Sequence, residues 1–140
     1  MAWEGTLLPY YFEFDSANRI LRCWFEGSVN DENLKEYYQV SAKYFETTDP
    51  LAGVLDLSAA TAFEVSPQTI RELAKLPPAM PRPERPRFVI APSNQVFGLA
   101  RMFELQGQES RPNLHVVRTA EEVWAMLGVE APNFEPLELE

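Results

Sequence analysis

The sequence predicts an α/β domain: a mixed, largely parallel sheet with an antiparallel edge hairpin and about four helices. Three observations carry this. Tyr10 to Asp15 and Arg19 to Glu26 alternate apolar and polar residues across a short turn, which is hairpin patterning. Gly53-Val54-Leu55-Asp56-Leu57-Ser58 is mostly apolar without that alternation, as in a strand covered on both faces. After it, apolar runs and helical signals take turns to the end of the chain, and repeated strand-then-helix units imply parallel pairing with right-handed crossovers.

Each element has its own local reason. In the first strand Tyr10, Phe12 and Phe14 share one face. Ser16-Ala17-Asn18 is a turn. In the second strand Leu21, Cys23 and Phe25 oppose Ile20, Arg22 and Trp24, and Gly27 is expected to end it. Asn30 or Asp31 caps the first helix, whose inner face is Leu34, Tyr37, Tyr38, Ser41 and Phe45. Pro50 closes that helix. The central strand spans 52–58, and Ala59 to Val65 is expected to be a loop. Ser66-Pro67 starts a second helix with Ile70, Leu73 and Ala74 inward, ending at Pro77-Pro78. Residues 77–86 hold five prolines and form a stiff surface connection. A strand at Arg87 to Ala91 leads to a helix capped by Ser93, with Val96, Leu99, Ala100 and Phe103 inward. Leu114 to Arg118 is the last strand expected. Thr119 and Glu122 form a capping box for a helix ending near Gly128. The first strand is expected to be a free sheet edge. The segments are a lead-in at 1–9, a domain at 10–128 and an acidic tail at 129–140, with Trp3, Leu7, Leu8, Phe134, Leu137 and Leu139 as apolar anchors.

Composition excludes several classes. Of 140 residues, 46% are apolar and 24% charged, a globular profile. The net charge of −9 repels phosphate backbones and anionic lipid surfaces, so no nucleic acid and no membrane insertion are expected. One cysteine, Cys23, allows no internal disulfide. The N-terminus lacks a basic segment followed by an apolar core, and no window approaches the roughly 18 apolar residues of a span, so a cytoplasmic protein is expected.

The ordered motifs resemble those of a family. Trp24-Phe25-Glu26-Gly27, the Asp56 segment, Ala91-Pro92-Ser93, Gly98-Leu99-Ala100-Arg101-Met102-Phe103 and Thr119 to Gly128 together are similar to the bacterial SpoIIAA-like proteins of the STAS fold, named for anti-sigma-factor antagonists. The resemblance covers about residues 10–128. It implies a small non-enzymatic regulatory or protein-interaction module, often a dimer. Signalling STAS domains place a phosphorylatable serine after an acid at the start of the second helix. Here Glu64 matches the acid, but Val65 stands where the serine would be and Pro67 replaces the usual glycine after Ser66. The phospho-switch is therefore not expected.

The carboxyl ends of parallel strands and the helix starts that follow are a favoured ligand edge. That edge presents Asp56, Ser58, Thr61, Glu64, Ser66, Ser93 and Asn94, either as a polar binding edge or as caps and loop-ordering groups. Phe97, Gly98, Arg101 and Met102 are a candidate interaction surface, since Gly98 costs about 1 kcal/mol in a helix and needs a reason. Arg101 can equally pair with Glu104. Arg71, Lys75, Arg82, Arg85 and Arg87 concentrate five of twelve bases, to receive the acidic tail, an acidic partner or only solvent. No catalytic residues are expected. His115 is the one histidine, a Cys23–His115 pair would need an exposed thiol, and one His with one Cys make no usual zinc site. No metal or cofactor is expected. The function expected is a regulatory or protein-interaction module, as a homodimer or with a protein partner. The alternative is a carrier or sensor of a small lipophilic or anionic ligand. A continuous apolar cavity between helices and sheet would favour the alternative.

Overall fold

A computed structural model describes residues 9–138, so Trp3, Leu7, Leu8 and Leu139 lie outside the described residues. The element order is β1 Tyr10–Asp15, β2 Ile20–Asn30, α1 Asp31–Thr48, β3 Ala52–Glu64, α2 Pro67–Lys75, β4 Arg87–Ile90, α3 Asn94–Gln106, β5 Leu114–Val117, α4 Ala120–Leu127 and β6 Glu135–Leu137. The sheet runs β5-β4-β3-β2-β1-β6. Strands β2 to β5 are mutually parallel, and β1 is antiparallel to both β2 and β6. The fold is the α/β architecture expected, a mostly parallel mixed sheet with four helices.

The sheet divides two apolar layers. On one face Phe12, Leu21, Cys23, Phe25, Leu57 and Val89 pack under Leu34 and Tyr44 of α1, Ile70 and Leu73 of α2, and Val96 and Ala100 of α3. On the other, Ile20, Val54, Phe88, Ile90 and Val117 pack under Val123 of α4, with Trp124 and Phe134 alongside. Arg22 links that face to the tail, with its guanidinium 4.1 Å from the Phe134 ring centroid and 2.6 Å from Glu13 Oε1. Three helices therefore cover one face, and a single short helix with the tail covers part of the other.

Three expectations are corrected. Gly27 does not end the second strand. It adopts φ +73°, a left-handed conformation natural to glycine, within a region of register shifts that lets β2 run on to Asn30. Its partner β3 runs on with it, so Ala59 to Glu64 are strand, not loop, with Val29 opposite Phe63 and Asn30 opposite Glu64. The burial of Phe63 shows why: the small alanines conceal an inward-facing residue. Strand β1 is not a free edge either, because Phe12 to Phe14 pair with Glu135 to Leu137 of the tail.

Asp15 joins hairpin and tail. It is 1% exposed, and its carboxylate accepts from Ala17 N (3.1 Å), Asn18 N (3.2 Å), Asn18 Nδ2 (2.7 Å) and Asn133 N (3.3 Å). Burial pushes its pKa up, but the hydrogen bonds from Asn18, Asn133 and Ala17 together hold it below the usual value. A carboxyl depressed in the folded state contributes stability above its unfolded pKa of about 3.9 and loses it as pH falls through the folded value. Asp15→Ala should cost about 1–3 kcal/mol near neutral pH and speed amide exchange in β6. In paired denaturation curves the gap from wild type should shrink below about pH 4.

Candidate functional site

The residues expected at the loop edge are mostly occupied by the fold. Asp56 is buried in β3, where its Oδ1 accepts from Ser58 N at 2.9 Å. Ser58, Thr61 and Glu64 are exposed along the same strand. Ser66 caps α2 by accepting from Thr69 N (3.2 Å), while its own N donates to Asp31 Oδ1 (2.8 Å). Ser93 caps α3 through Val96 N (3.2 Å), and Asn94 Oδ1 accepts from Arg118 Nη1 (2.9 Å). Asp56, Ser66, Ser93 and Asn94 thus organise strand ends and helix starts.

The surface on α3 is likewise largely spoken for. The Arg118 guanidinium lies 3.9 Å from the Phe97 ring centroid, and Arg101 pairs with Glu104. Met102 is half-buried against the core. Gly98 alone has no intramolecular reason, since a Cβ there would meet nothing within 4 Å. The basic cluster is dispersed: Arg82 and Arg85 reach Asp49 at 3.6 and 2.7 Å, and Arg87 turns inward. The acidic tail lies beside β1, at the far side of the sheet from β4. Cys23 and His115 occupy opposite faces. Burial pushes the Cys23 thiol up, whereas His115 stacks on Phe88 at 5.3 Å.

The structure instead brings together a site inside the helical layer. A cavity of about 140 Å³ lies between the sheet and α1, α2 and α3. Its walls include Phe12, Leu57, Phe63, Leu73, Ala100 and Phe103. It arises from the sequence directly. The inward faces of the three helices mix large aromatics with Ser41 and Ala100, and small beside large leaves space. At one end Phe45, Ala79 and Met80 separate it from an outer groove of about 570 Å³ that also touches Asp49, Pro81 and Arg82. The proline-rich segment is thus more than a surface connection: Met80 is 3% exposed and forms part of the cavity wall.

Two arginines line this apolar space. Arg87 begins β4 and Arg111 precedes β5. Arg111 is 4% exposed. Its Nη1 donates to Ala74 O (3.1 Å), and its Nη2 donates to Leu76 O (3.0 Å) and to the Tyr38 hydroxyl (2.8 Å). It thereby satisfies carbonyls at the C-terminus of α2, where the helix carries partial negative charge. The same guanidinium lies 4.7 Å from the Phe103 ring centroid. Arg87 is 9% exposed and donates through Nη2 to the carbonyls of Met80 and Arg82. Its Nε is buried with no acceptor among the described residues. Burial, then the Arg111 charge, hold the Arg87 guanidinium below its usual pKa. Tyr38 is pushed up by burial, with Arg111 opposing.

Sequence reasoning placed Arg87 in a surface patch and passed over Arg111. The available signal was positional: each is a charged residue at the threshold of an apolar strand, Arg87 before Phe88-Val89-Ile90 and Arg111 three residues before Leu114. Among the described residues no helix is long and apolar enough to cross a membrane, and no three His, Cys, Asp or Glu side chains are grouped to hold a metal ion. Compared with models of protein families and with curated proteins, the chain matches none.

Arg111→Met removes the donors that hold α2, α1 and the cavity wall together. It should lower stability by about 3 kcal/mol or more in urea denaturation, from several carbonyls left without donors. Arg111→Lys should recover only part of this, because an ammonium cannot reproduce the planar fork.

Proposed function

We propose that the chain is a non-enzymatic binding module, a cytoplasmic carrier or sensor that holds a small lipophilic ligand between the sheet and α1 to α3. The observation that carries this reading is the largely apolar cavity beneath α1, α2 and α3. Protein interiors keep few voids larger than a water molecule. A cavity of about 140 Å³ forgoes on the order of 3 kcal/mol of packing, a cost that a ligand-binding role explains. Space of this size in an apolar core accepts a guest about as large as one aromatic ring.

A second reading, a regulatory module acting through a protein partner or as a homodimer, is supported by Gly98. It is exposed within α3, beside Phe97 and Met102, and no intramolecular contact requires the absence of its side chain. The likeness to SpoIIAA-like proteins of the STAS fold supports the same class of non-enzymatic module. The two readings combine naturally if occupancy of the cavity is the signal that a partner senses.

Native mass spectrometry of the protein purified from its own host should show a retained small-molecule mass in the folded state. Toluene should raise the melting temperature of ligand-free protein. Ala100→Leu fills space from the α3 wall and should remove the toluene effect while changing stability by no more than about 1.5 kcal/mol. Ligand-free protein that neither retains a mass nor responds to toluene would overturn the carrier reading.

A further inference from the structure

We propose that the ligand of this cavity is a monocarboxylic acid with a compact apolar body, and that Arg87 and Arg111 receive its carboxylate where β4 and β5 begin. The inference rests on the ligand-binding reading above and adds the ligand's chemistry, its polarity and its orientation.

The first ground is placement. Arg87 pairs in register with Leu114, so the neighbouring strands β4 and β5 bring both arginines to the same end of the cavity. The second is uncompensated charge. The chain has 21 acidic residues against 12 basic ones, yet among the described residues neither Arg87 nor Arg111 has a carboxylate within 4.0 Å. The partners of both are neutral carbonyls and hydroxyls. The C-terminus of α2 supplies about half a negative charge beside Arg111, and Glu84 acts on Arg87 only through space, beyond ion-pair distance. Buried charges in apolar surroundings are ordinarily paired.

The third ground is the orphan donor. Arg87 Nε is buried without an acceptor, although the side chain lines the cavity. A turn of the Arg87 guanidinium would bring that unpaired N–H to a carboxylate in the cavity as one arm of the fork that carboxylates bind, and charge-assisted bonds of this kind are the strong ones. The fourth is the rest of the wall. Apart from Cys23, Tyr37, Tyr38 and Ser41, its lining is apolar, with Phe12, Leu57, Phe63, Leu73 and Phe103 among it, so most of the ligand's remainder is hydrocarbon. With a volume of about 140 Å³, that remainder is about one ring, or a branched alkyl group of similar bulk.

The test compares benzoate with its neutral isostere benzamide by titration calorimetry at pH 7 on the full wild-type chain. The acid should bind at least tenfold tighter than the amide. Arg87→Met should erase that preference, and Arg87→Lys, which keeps the charge, should retain part of it. If the wild type binds acid and amide equally, the carboxylate inference falls and the apolar carrier reading stands. If it binds neither while toluene still raises the melting temperature, the carboxylate inference falls alone; if toluene is also without effect and no mass is retained, both fall. The comparison of the two probes on the wild type decides the matter even should Arg87→Met fail to fold.

Discussion

The helical layer depends on one buried guanidinium. Arg111 reaches the last carbonyls of α2, the hydroxyl of Tyr38 on α1 and the ring of Phe103 on α3, so one side chain fixes three helices over the sheet. A lone buried charge is expensive, and here the cost is met by neutral acceptors and a helix C-terminus instead of a carboxylate. This arrangement lines the cavity at the end where β4 and β5 begin. With Ser41 and Ala100 too small to fill the interval, a cavity follows. The stabilising contact and the candidate site are the same piece of chemistry.

The second face obeys a different constraint. It is covered by α4, by Trp124 with Phe134 and by the tail that Asp15 anchors. β6 adds only three residues to the sheet, yet it pairs an edge that would otherwise present free N–H and C=O groups. The tail therefore belongs to the sheet, which explains why an acidic, proline-bearing segment carries apolar residues at Phe134 and Leu137.

Much of this fold was legible in the sequence because its signals are local. Ser66, Ser93 and Thr119 cap helices as their side chains dictate, and Gly128 ends α4 in the left-handed conformation. Period-two alternation located the hairpin from Tyr10 to Phe25. What was illegible is non-local. The extension of β3 through Ala59 to Glu64 depends on pairing with β2, and alanine-rich residues announce no strand alone. The pairing of Glu135 to Leu137 with β1 spans more than a hundred residues. For the site, the general preference for carboxyl strand ends pointed to Asp56, Ser58 and Ser66, whereas the arginines gather at the amino ends of β4 and β5. Sequence alone does not show whether a basic residue beside a proline-rich segment points out, as Arg82 does, or in, as Arg87 does.

The central claim is that the space beneath the three helices is a binding site and not a packing defect. Methyl NMR of Leu57, Leu73, Val96 and Leu114 during titration with benzoate tests it most directly, because all four residues line the cavity from different elements. Saturable shifts shared by these methyls, with surface methyls such as Leu51 and Leu105 unmoved, are the predicted result. Shifts confined to surface methyls, or none at ligand concentrations up to millimolar, would contradict it.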